Sequence, residues 1–516
     1  MIGSVNFPEE STMTDAVPAT EHFDVLIIGA GISGIGTAHH LQRSHPERSY
    51  TILEARDTMG GTWDLFRYPG IRSDSDLPTF AYEWRPWTGE KALADGPEIL
   101  EYIKDTAADE GIAGNIRYGQ RVSSADFDSD RGLWCVTVDH ADGGTSAYTC
   151  RWLFGASGYY RYDEGYTPEF AGRERFTGAG GQIVHPQQWP EGLDYAGKRV
   201  VVIGSGATAV TLVPAMAPEA AHVTMLQRSP SYVMTIPSRD WIANGVRRVL
   251  GDRIAHRIAR RKNIWMQRTI YRQSRRRPQL VRRILRAMQR RQLPAGYDID
   301  THFNPAYDPW DQRLCMVADG DLFQAISRGE ASIVTDRIAT FTERGIELES
   351  GRELEADIVI TATGLNLLAF GGIDLSVDGR HVDISEKTAY KGMMLSDVPN
   401  FAFAIGYTNA SWTLKVDLVG EYFGRLLTHM DDQGWDVCTP LLGPDVGKRP
   451  ILDFEAGYVL RSLSDFPTQG DRGPWQLTMD YSRDVPLFTE QAIADEALVF
   501  RSVPERVSEP EPAAAA

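Results

Sequence analysis

Two glycine-rich turns, each between a short apolar run and a potential helix, constrain the fold of this chain more than any other feature. The first, Gly29-Ala30-Gly31-Ile32-Ser33-Gly34, follows the apolar run 24–28 and precedes a predicted helix that extends to about Leu41. The second, Gly204-Ser205-Gly206-Ala207-Thr208-Ala209, follows the apolar run 199–203. A buried parallel strand, a tight turn and a helix whose N-terminus faces a pyrophosphate together form a dinucleotide-binding unit. We therefore predict an α/β fold with two doubly wound dinucleotide-binding domains.

An acid ends the second predicted strand of the first unit. Glu54 lies twenty residues beyond Gly34 and closes the run Tyr50-Thr51-Ile52-Leu53. A carboxylate at this place can bond both hydroxyls of an unphosphorylated ribose and repels a 2′-phosphate. The alternative is a tight turn with a surface glutamate. We predict FAD in this site, rather than NAD, because a nicotinamide site follows later in the chain.

The corresponding position of the second unit carries the opposite charge. The strand-like run Val223-Thr224-Met225-Leu226 leads into Gln227-Arg228-Ser229. A guanidinium at Arg228 suits a 2′-phosphate, so NADPH is preferred to NADH. The alternative is a solvated surface arginine. Two such sites in one chain indicate a flavin that is reduced by a nicotinamide.

Two later apolar runs indicate that the flavin domain is split. Residues 357–364 are typical of a segment that returns from the nicotinamide domain, and Gly364 at its end is a predicted cofactor-binding residue. Residues 401–406 resemble a late strand that closes the flavin site. The predicted divisions are an FAD-binding domain in 22–158 and 377–500, an NADPH-binding domain in 159–230 and 316–376, a helical insertion in 231–315, and disordered ends in 1–21 and 501–516.

Charge and cysteine content exclude several functional classes. The 516-residue chain has a formal net charge of −17, which disfavours nucleic acid as a partner. Its four cysteines form no CxxC pair and have no metal-ligand spacing, so we expect idle thiols in a reducing compartment and no bound metal. Neither an export signal nor a run of about 18 apolar residues is visible, so we expect a soluble, cytoplasmic protein.

One segment after the first unit resembles a known family. Gly60-Gly61-Thr62-Trp63, then Tyr68-Pro69-Gly70, then Asp74 is similar at every specified position to a signature of the Baeyer–Villiger monooxygenases. A second signature of that family, FxGxxxHxxxWP, is matched by Gly181, His185 and Trp189-Pro190. The related N-oxygenating enzymes usually carry Tyr or Phe at the position of Trp189.

The second signature departs from the family at one place. The position two residues before Gly181 is Ala179, and the nearest preceding phenylalanine, Phe176, lies five residues before it. A short insertion within residues 177–180 would explain this spacing. Further segments resemble the ethionamide-activating branch of the family: 65–76, 159–162, 309–315 and 406–415.

The resemblance implies a reaction and a set of roles. Ketones would be converted to esters or lactones with FAD, NADPH and O2 through a flavin C4a-peroxide, and thioethers would be oxidised as a side activity. A fixed cation lowers the pKa of such a peroxide and stabilises negative charge. By resemblance this cation is Arg313, oriented by Asp74. The remaining implied roles are cofactor binding for Thr62, Trp63 and Asp74, domain linkage for Gly181, His185 and Trp189, and a border of the substrate pocket for Trp412 and Lys415.

Alternatives to these roles and to this reaction stay open. From spacing alone, Arg313 equally fits a surface ion pair and Asp74 a helix cap. A rival enzyme is an N- or S-oxygenating flavin monooxygenase, which Asp74 and Trp189 disfavour. A rival of another class is a non-catalytic, membrane-associated flavin protein that acts as a redox regulator.

An arginine-rich stretch between Trp241 and Arg291 stands apart from the rest of the chain. Sixteen arginines alternate there with apolar residues such as Ile254, Ile258 and Trp265, which predicts a pair of amphipathic helices. One interpretation is a solvated basic face. The other is contact between residues 241–291 and an anionic membrane surface, which would bring apolar substrates near the pocket.

Overall fold

The computed structural model describes residues 21–312, 314–452 and 456–504. Of the ends predicted to be disordered, 1–21 and 501–516, residues 1–20 and 505–516 lie outside the described residues, as does Arg313. Glu21 begins one strand and Arg501 ends another, so at these two positions the prediction was wrong.

The first of two large sheets contains the first glycine-rich turn. Its doubly wound part is parallel, in the order Ile116–Arg117, Tyr50–Leu53, Glu21–Ile28, Thr145–Gly155, Phe401–Phe403. Val25 to Ile28 lie on the central strand and are almost completely buried, which explains why that run is apolar throughout. The other strands are Gln120–Asp128, Leu133–His140, Asp374–Val377, Arg380–His381, Ala389–Tyr390 and Met394–Leu395.

The second large sheet is wholly parallel and contains the second glycine-rich turn. Its strand order is Ala331–Thr335, His222–Gln227, Arg199–Ile203, Ile358–Thr361, Gln182–Val184. The chain enters this sheet after Thr145–Gly155 and returns to the first sheet at Asp374–Val377. The predicted α/β fold with two dinucleotide-binding domains is confirmed.

Four short pairs of strands and one three-stranded sheet account for the remaining strands of the described residues. They are Tyr160–Gly165 with Leu365–Leu367, Val233–Ile236 with Cys315–Ala318, Ile338–Phe341 with Gly345–Leu348 and Glu353–Glu355, Val437–Pro440 with Leu498–Arg501, and Lys448–Pro450 with Thr468–Gly470. The pair Tyr160–Gly165 and Leu365–Leu367 is antiparallel and consists of the two chain segments that join the domains.

The helices outside the arginine-rich stretch cover the sheets. The α-helices are Ile32–Ser44, Thr62–Leu65, Leu77–Phe80, Gly96–Asp109, Arg173–Gly178, Ala207–Met216, Ile299–His302, Asp321–Ser327, Trp412–Gln433, Gly457–Leu460 and Tyr481–Thr489. Short 3-10 turns lie at Ala113–Asn115, Pro186–Gln188, Ala369–Gly372, Ile384–Glu386 and Leu463–Asp465.

The arginine-rich stretch forms three helices, so the prediction of a pair was wrong in number. They are Trp241–Leu250, Asp252–Arg276 and Pro278–Gln292. Gly251, with φ of 79°, separates the first two, and Pro278 begins the third, where its missing N–H is not needed. Among the helices of the described ranges, none has the length and hydrophobicity that crossing a bilayer requires.

Candidate active site

A cavity of about 480 Å³ lies at the carboxyl ends of the parallel strands of the first sheet. Ligands of doubly wound folds bind in this crevice. Six residues that the sequence predicts for cofactor binding or catalysis line it: Gly29, Gly31, Glu54, Thr62, Trp63 and Asp74.

The first glycine-rich turn has the shape that a dinucleotide requires. Gly29 has φ of 101°, and a Cβ added there would lie 2.9 Å from the carbonyl oxygen of Ala156. A Cβ at Gly34 would lie 2.0 Å from the oxygen of Gly29, so the turn closes tightly on itself. Gly31 precedes the helix Ile32–Ser44 without a capping side chain, which leaves the first backbone N–H groups available to an anion.

Glu54 holds this turn in place. Its carboxylate accepts hydrogen bonds from the backbone N–H of Ala30 at 2.8 Å and of Arg56 at 3.0 Å. The side chain is buried, and burial raises the pKa of its carboxyl group. A carboxylate accepts up to about four hydrogen bonds, so Glu54 has capacity left for ribose hydroxyls.

The first signature joins the cavity to the second domain. Asp74 lies on the cavity wall, whereas Tyr68 is buried in the core of the second domain with the strand Arg199–Ile203. Thr208, in the second glycine-rich turn, lies beside the hydroxyl of Tyr68 and opposes the effect of burial, which raises the pKa of that hydroxyl. A Cβ on Gly70 would lie 2.7 Å from Cβ of Ala215, so the signature backbone packs directly against the helix that follows that turn.

The second glycine-rich turn resembles the first. A Cβ on Gly204 would lie 2.3 Å from the carbonyl oxygen of Ala362, whereas Gly206 faces open space. Arg228 directly follows the strand His222–Gln227 and is exposed. This is the position at which a cation can meet a 2′-phosphate.

His185 clamps the two connections between the domains. Its Nδ1 accepts a hydrogen bond from the backbone N–H of Gln187 at 3.1 Å, so Nε2 carries the proton and donates to the carbonyl of Gly364 at 3.1 Å. A Cβ on Gly165 would lie 1.9 Å from the imidazole ring. Burial lowers the pKa of His185, which keeps the ring neutral. His185 therefore ties the connecting strands Tyr160–Gly165 and Leu365–Leu367 together, and its effect on domain movement stays a prediction.

The altered spacing of the second signature has a structural explanation. The ring of Phe176 lies 2.5 Å from where a Cβ of Gly181 would be, so it packs directly on the Cα of that glycine. The helix Arg173–Gly178 and the turn after it place this ring beside Gly181 despite the longer spacing. The N–H of Gly181 donates to the carbonyl of Phe176 at 3.0 Å. Trp189 packs against the core of the second domain.

The two residues predicted to border the substrate pocket occupy different environments. Trp412 lines the cavity and donates from Nε1 to Ser33 Oγ at 2.7 Å. Lys415 is buried and pairs with Asp484 at 2.8 Å, and burial lowers its pKa. Lys415 is not one of the described residues that line the cavity. It lies behind Tyr407, a wall residue whose hydroxyl donates to the same carboxylate at 2.7 Å.

Sequence reasoning missed Ser33 and Tyr407 as wall residues. Tyr407 lies in the segment 406–415, whose resemblance to the family was visible, but no spacing distinguished it from its neighbours. Arg313 lies outside the described residues, so its catalytic role stays a prediction.

A second cavity of about 300 Å³ lies beside the first and shares Ala410 with it. The helix Asp252–Arg276 forms one wall, and residues 409–414 and 478–483 form the other.

Comparisons with known proteins agree with this fold. A family model described as pyridine nucleotide-disulphide oxidoreductase matches residues 26–263. The FAD-containing monooxygenase EthA of Mycobacterium tuberculosis is 55% identical over 490 residues, which is 95% of this chain and 99% of that protein. EthA of Mycolicibacterium smegmatis is 51% identical over 483 residues, 93% and 97% of the two chains.

Solved structures share the fold at low sequence identity. An oxidised steroid monooxygenase bound to NADP has a TM-score of 0.74 at 20% identity, with 93% of this chain and 100% of that chain covered. An open form of cyclohexanone monooxygenase has a TM-score of 0.68 at 21% identity, with 83% and 91% covered.

The two dinucleotide-binding domains, together with the identity to FAD-containing monooxygenases over nearly the whole chain, define a flavin-dependent monooxygenase. This confirms the resemblance predicted from the signatures. The chain belongs to the family of FAD-containing monooxygenases.

Proposed function

We propose that this monooxygenase inserts one atom of O2 beside the carbonyl group of apolar ketones, giving esters or lactones, and oxidises thioethers as a side activity. FAD and NADPH are its cofactors. The observation that carries the proposal is the first signature, whose Asp74 lies on the wall of the flavin cavity while Tyr68 and Gly70 contact the nicotinamide domain.

The cavity residues fit FAD. Gly29 and Gly31 leave room for its pyrophosphate, Glu54 suits its ribose, and Thr62 and Trp63 lie on the same wall. When bound, FAD would supply the redox chemistry, as the acceptor of hydride from NADPH and as the source of an O2-derived oxidant. Gly204, Gly206, Thr208 and Arg228 would hold the NADPH.

The residues of the chain must stabilise the negative charge that a ketone oxygen gains during oxygen insertion. A guanidinium remains charged under all conditions and suits this task. Arg313 is the residue we assign to it, by resemblance to the family. By the same resemblance, Asp74 would orient this cation with its carboxylate. His185 takes no part in proton transfer, because both of its ring nitrogens are engaged by backbone groups.

We assign the second cavity to the substrate. Ile264, Leu414 and Met479 form an apolar part of its lining next to the shared Ala410. Arg268 and Arg272 both pair with Asp480 at its edge, at 3.3 Å and 3.1 Å, so their charges are compensated. An apolar chain attached to the carbonyl carbon of the substrate would occupy this second cavity, while the carbonyl group itself would lie in the flavin cavity.

A product analysis tests the proposal. The balanced reaction is ketone, O2, NADPH and H+ giving ester, NADP+ and water. Purified protein is supplied with NADPH and a panel of linear, cyclic and aryl ketones and one thioether, and the products are identified by mass spectrometry. We expect an ester or lactone from at least one ketone. Oxidation of the thioether with no ester from any ketone would replace the proposal with S-oxygenation.

A further inference from the structure

The helix Asp252–Arg276 exposes its apolar side and buries its polar side. Ile254, Ile258 and Trp265 are spaced four and seven residues apart, so they share one face, and they are 43%, 41% and 68% exposed. On the opposite side, His256 and Asn263 are 6% and 3% exposed. A helix solvated on its outer side has the reverse arrangement, because burial of apolar surface drives packing.

Polar contacts with the first domain fix this orientation. The guanidinium of Arg260 is 4% exposed and donates to the carbonyls of Pro78, Thr79 and Ala81, the last at 2.8 Å. Asn263, which is buried, donates to the half-buried carboxylate of Asp76 at 2.7 Å. Rotating the helix to bury its apolar face would leave these buried groups unpaired, which is costly. The apolar face therefore stays outward.

The two neighbouring helices continue the pattern. Trp241 and Val249 in the helix before it are 78% and 81% exposed, and Leu280 and Ile284 in the helix after it are 46% and 50% exposed. Of the fourteen exposed large apolar residues in the described part of the chain, ten lie between residues 241 and 284. Exposed apolar residues concentrated in this way mark an interaction surface.

The same stretch is strongly basic. Residues 241–292 contain sixteen arginines and one lysine but only one acid, in a chain whose formal net charge is −17. Arg253, Arg257 and Arg261 are exposed beside the apolar stripe, and none has a carboxylate within 4.0 Å among the described residues. Charges beyond about 10 Å are screened at 0.1 M salt, so a surface that approaches this face meets local positive charge rather than the acidic remainder.

We propose that the outer face of residues 241–291 docks on the surface of an anionic lipid bilayer. Tryptophan and aliphatic side chains flanked by arginines are the composition of helices that lie in the lipid headgroup region. A second copy of the chain would bring like charges together, and nucleic acid would leave the apolar stripe in water. This inference is independent of the proposed reaction, because it rests on the outer face alone.

Sedimentation with vesicles tests the docking. The full-length protein is mixed with vesicles of phosphatidylcholine alone or with phosphatidylglycerol, at low and high salt. We expect binding to the anionic vesicles that weakens as salt rises, and little binding to the neutral ones. No binding to anionic vesicles at low salt, or equal binding to both kinds, would overturn the proposal.

Two sets of variants separate the charged and apolar contributions. The triple change Arg253→Gln, Arg257→Gln and Arg261→Gln is expected to weaken binding roughly a hundredfold, at about 1 kcal/mol for each arginine. The matched control is Arg337→Gln, Arg352→Gln and Arg380→Gln, which alters three exposed arginines elsewhere. An equal loss of vesicle binding in both sets of variants would show that total charge attracts the protein to the vesicles. That result would contradict docking through one specific face.

The apolar set is Ile254→Ser, Ile258→Ser and Trp265→Ser, with Leu441→Ser and Val499→Ser as the control for exposed apolar residues outside the face. We expect the first set alone to lose the binding that remains at high salt. If a variant folds poorly, the quenching of tryptophan fluorescence by brominated lipid is measured instead. The Trp265→Phe protein should still bind the vesicles, and the brominated lipid should quench less of its tryptophan fluorescence. Undiminished quenching, or concentration-dependent self-association without vesicle binding, would overturn the proposal.

Discussion

Asn263 in the insertion helix donates a 2.7 Å hydrogen bond to the carboxylate of Asp76, two residues beyond Asp74 in the signature. The same carboxylate accepts from the side chain of Gln267 at 2.6 Å and from the N–H of Thr79 at 3.0 Å. Burial raises the pKa of Asp76, and these donors oppose that effect. The insertion thus anchors the segment that carries Asp74.

Asn263→Ala should loosen this anchor. Loss of a donor to a buried charged group costs about 1–3 kcal/mol, so we expect the free energy of unfolding to fall by about 2 kcal/mol. The amount of oxygenated product formed for each NADPH consumed should also fall. The control is Gln273→Ala, an exposed residue on the same helix. Denaturant unfolding and the ratio of product to NADPH measure both effects, and identical behaviour of the two variants would contradict the anchor.

A second prediction concerns acid stability. Burial, together with Arg260 and Arg247, lowers the pKa of His256 to about 4. The unfolded chain therefore binds this proton more readily, and the stability gained from the neutral ring is present above pH 6.5 and is lost as the pH falls toward 4. Neither ring nitrogen has a hydrogen-bond partner among the described residues.

His256→Leu should remove this pH dependence. Relative to the variant, the wild type should lose up to about 3 kcal/mol between pH 6.5 and 4, at about 1.4 kcal/mol for each unit of pKa. Urea unfolding of both proteins across this range measures the difference. A constant difference would mean that His256 titrates normally in the folded state.

The parts of the fold that depend on local sequence were predictable, and those that depend on distant contacts were not. The two nucleotide units follow from glycine spacing within about ten residues, because strand, turn and helix are adjacent in the chain. The contact between Asn263 and Asp76 spans 187 residues and has no sequence signal. The outward apolar face also was hidden, since periodicity shows that Ile254 and Ile258 share a face but not which way that face points.

Arg228 offers a test of cofactor choice. Arg228→Ala should weaken NADPH binding roughly ten- to a hundredfold, which corresponds to about 1.5–3 kcal/mol for one charge-assisted hydrogen bond, and leave NADH nearly unchanged. The reason is that only NADPH carries the 2′-phosphate. Flavin reduction rates at varied concentrations of each nicotinamide give both affinities. Equal losses for the two would show that Arg228 positions the loop and does not contact the phosphate.

The contact of His185 with Gly364 predicts that two variants, at positions 165 and 185, have effects that do not add. Gly165→Ala would force the imidazole away from Gly364, so it should act on the same contact as His185→Ala. We expect each single variant to slow flavin reduction by NADPH while FAD content is retained. The double variant should be no slower than the worse single one, because residues that share one contact are non-additive. Additive effects in stopped-flow reduction would refute the clamp.

The most direct test of the central claim uses Arg313→Ala with NADPH, a ketone substrate and ¹⁸O2. Removing a group that stabilises developing charge typically lowers the rate by about 10²–10³. The wild type should form an ester that carries one ¹⁸O atom. The variant should keep its FAD, be reduced by NADPH at the wild-type rate and form almost no ester. Labelled ester from the variant at a near-normal rate would contradict the account.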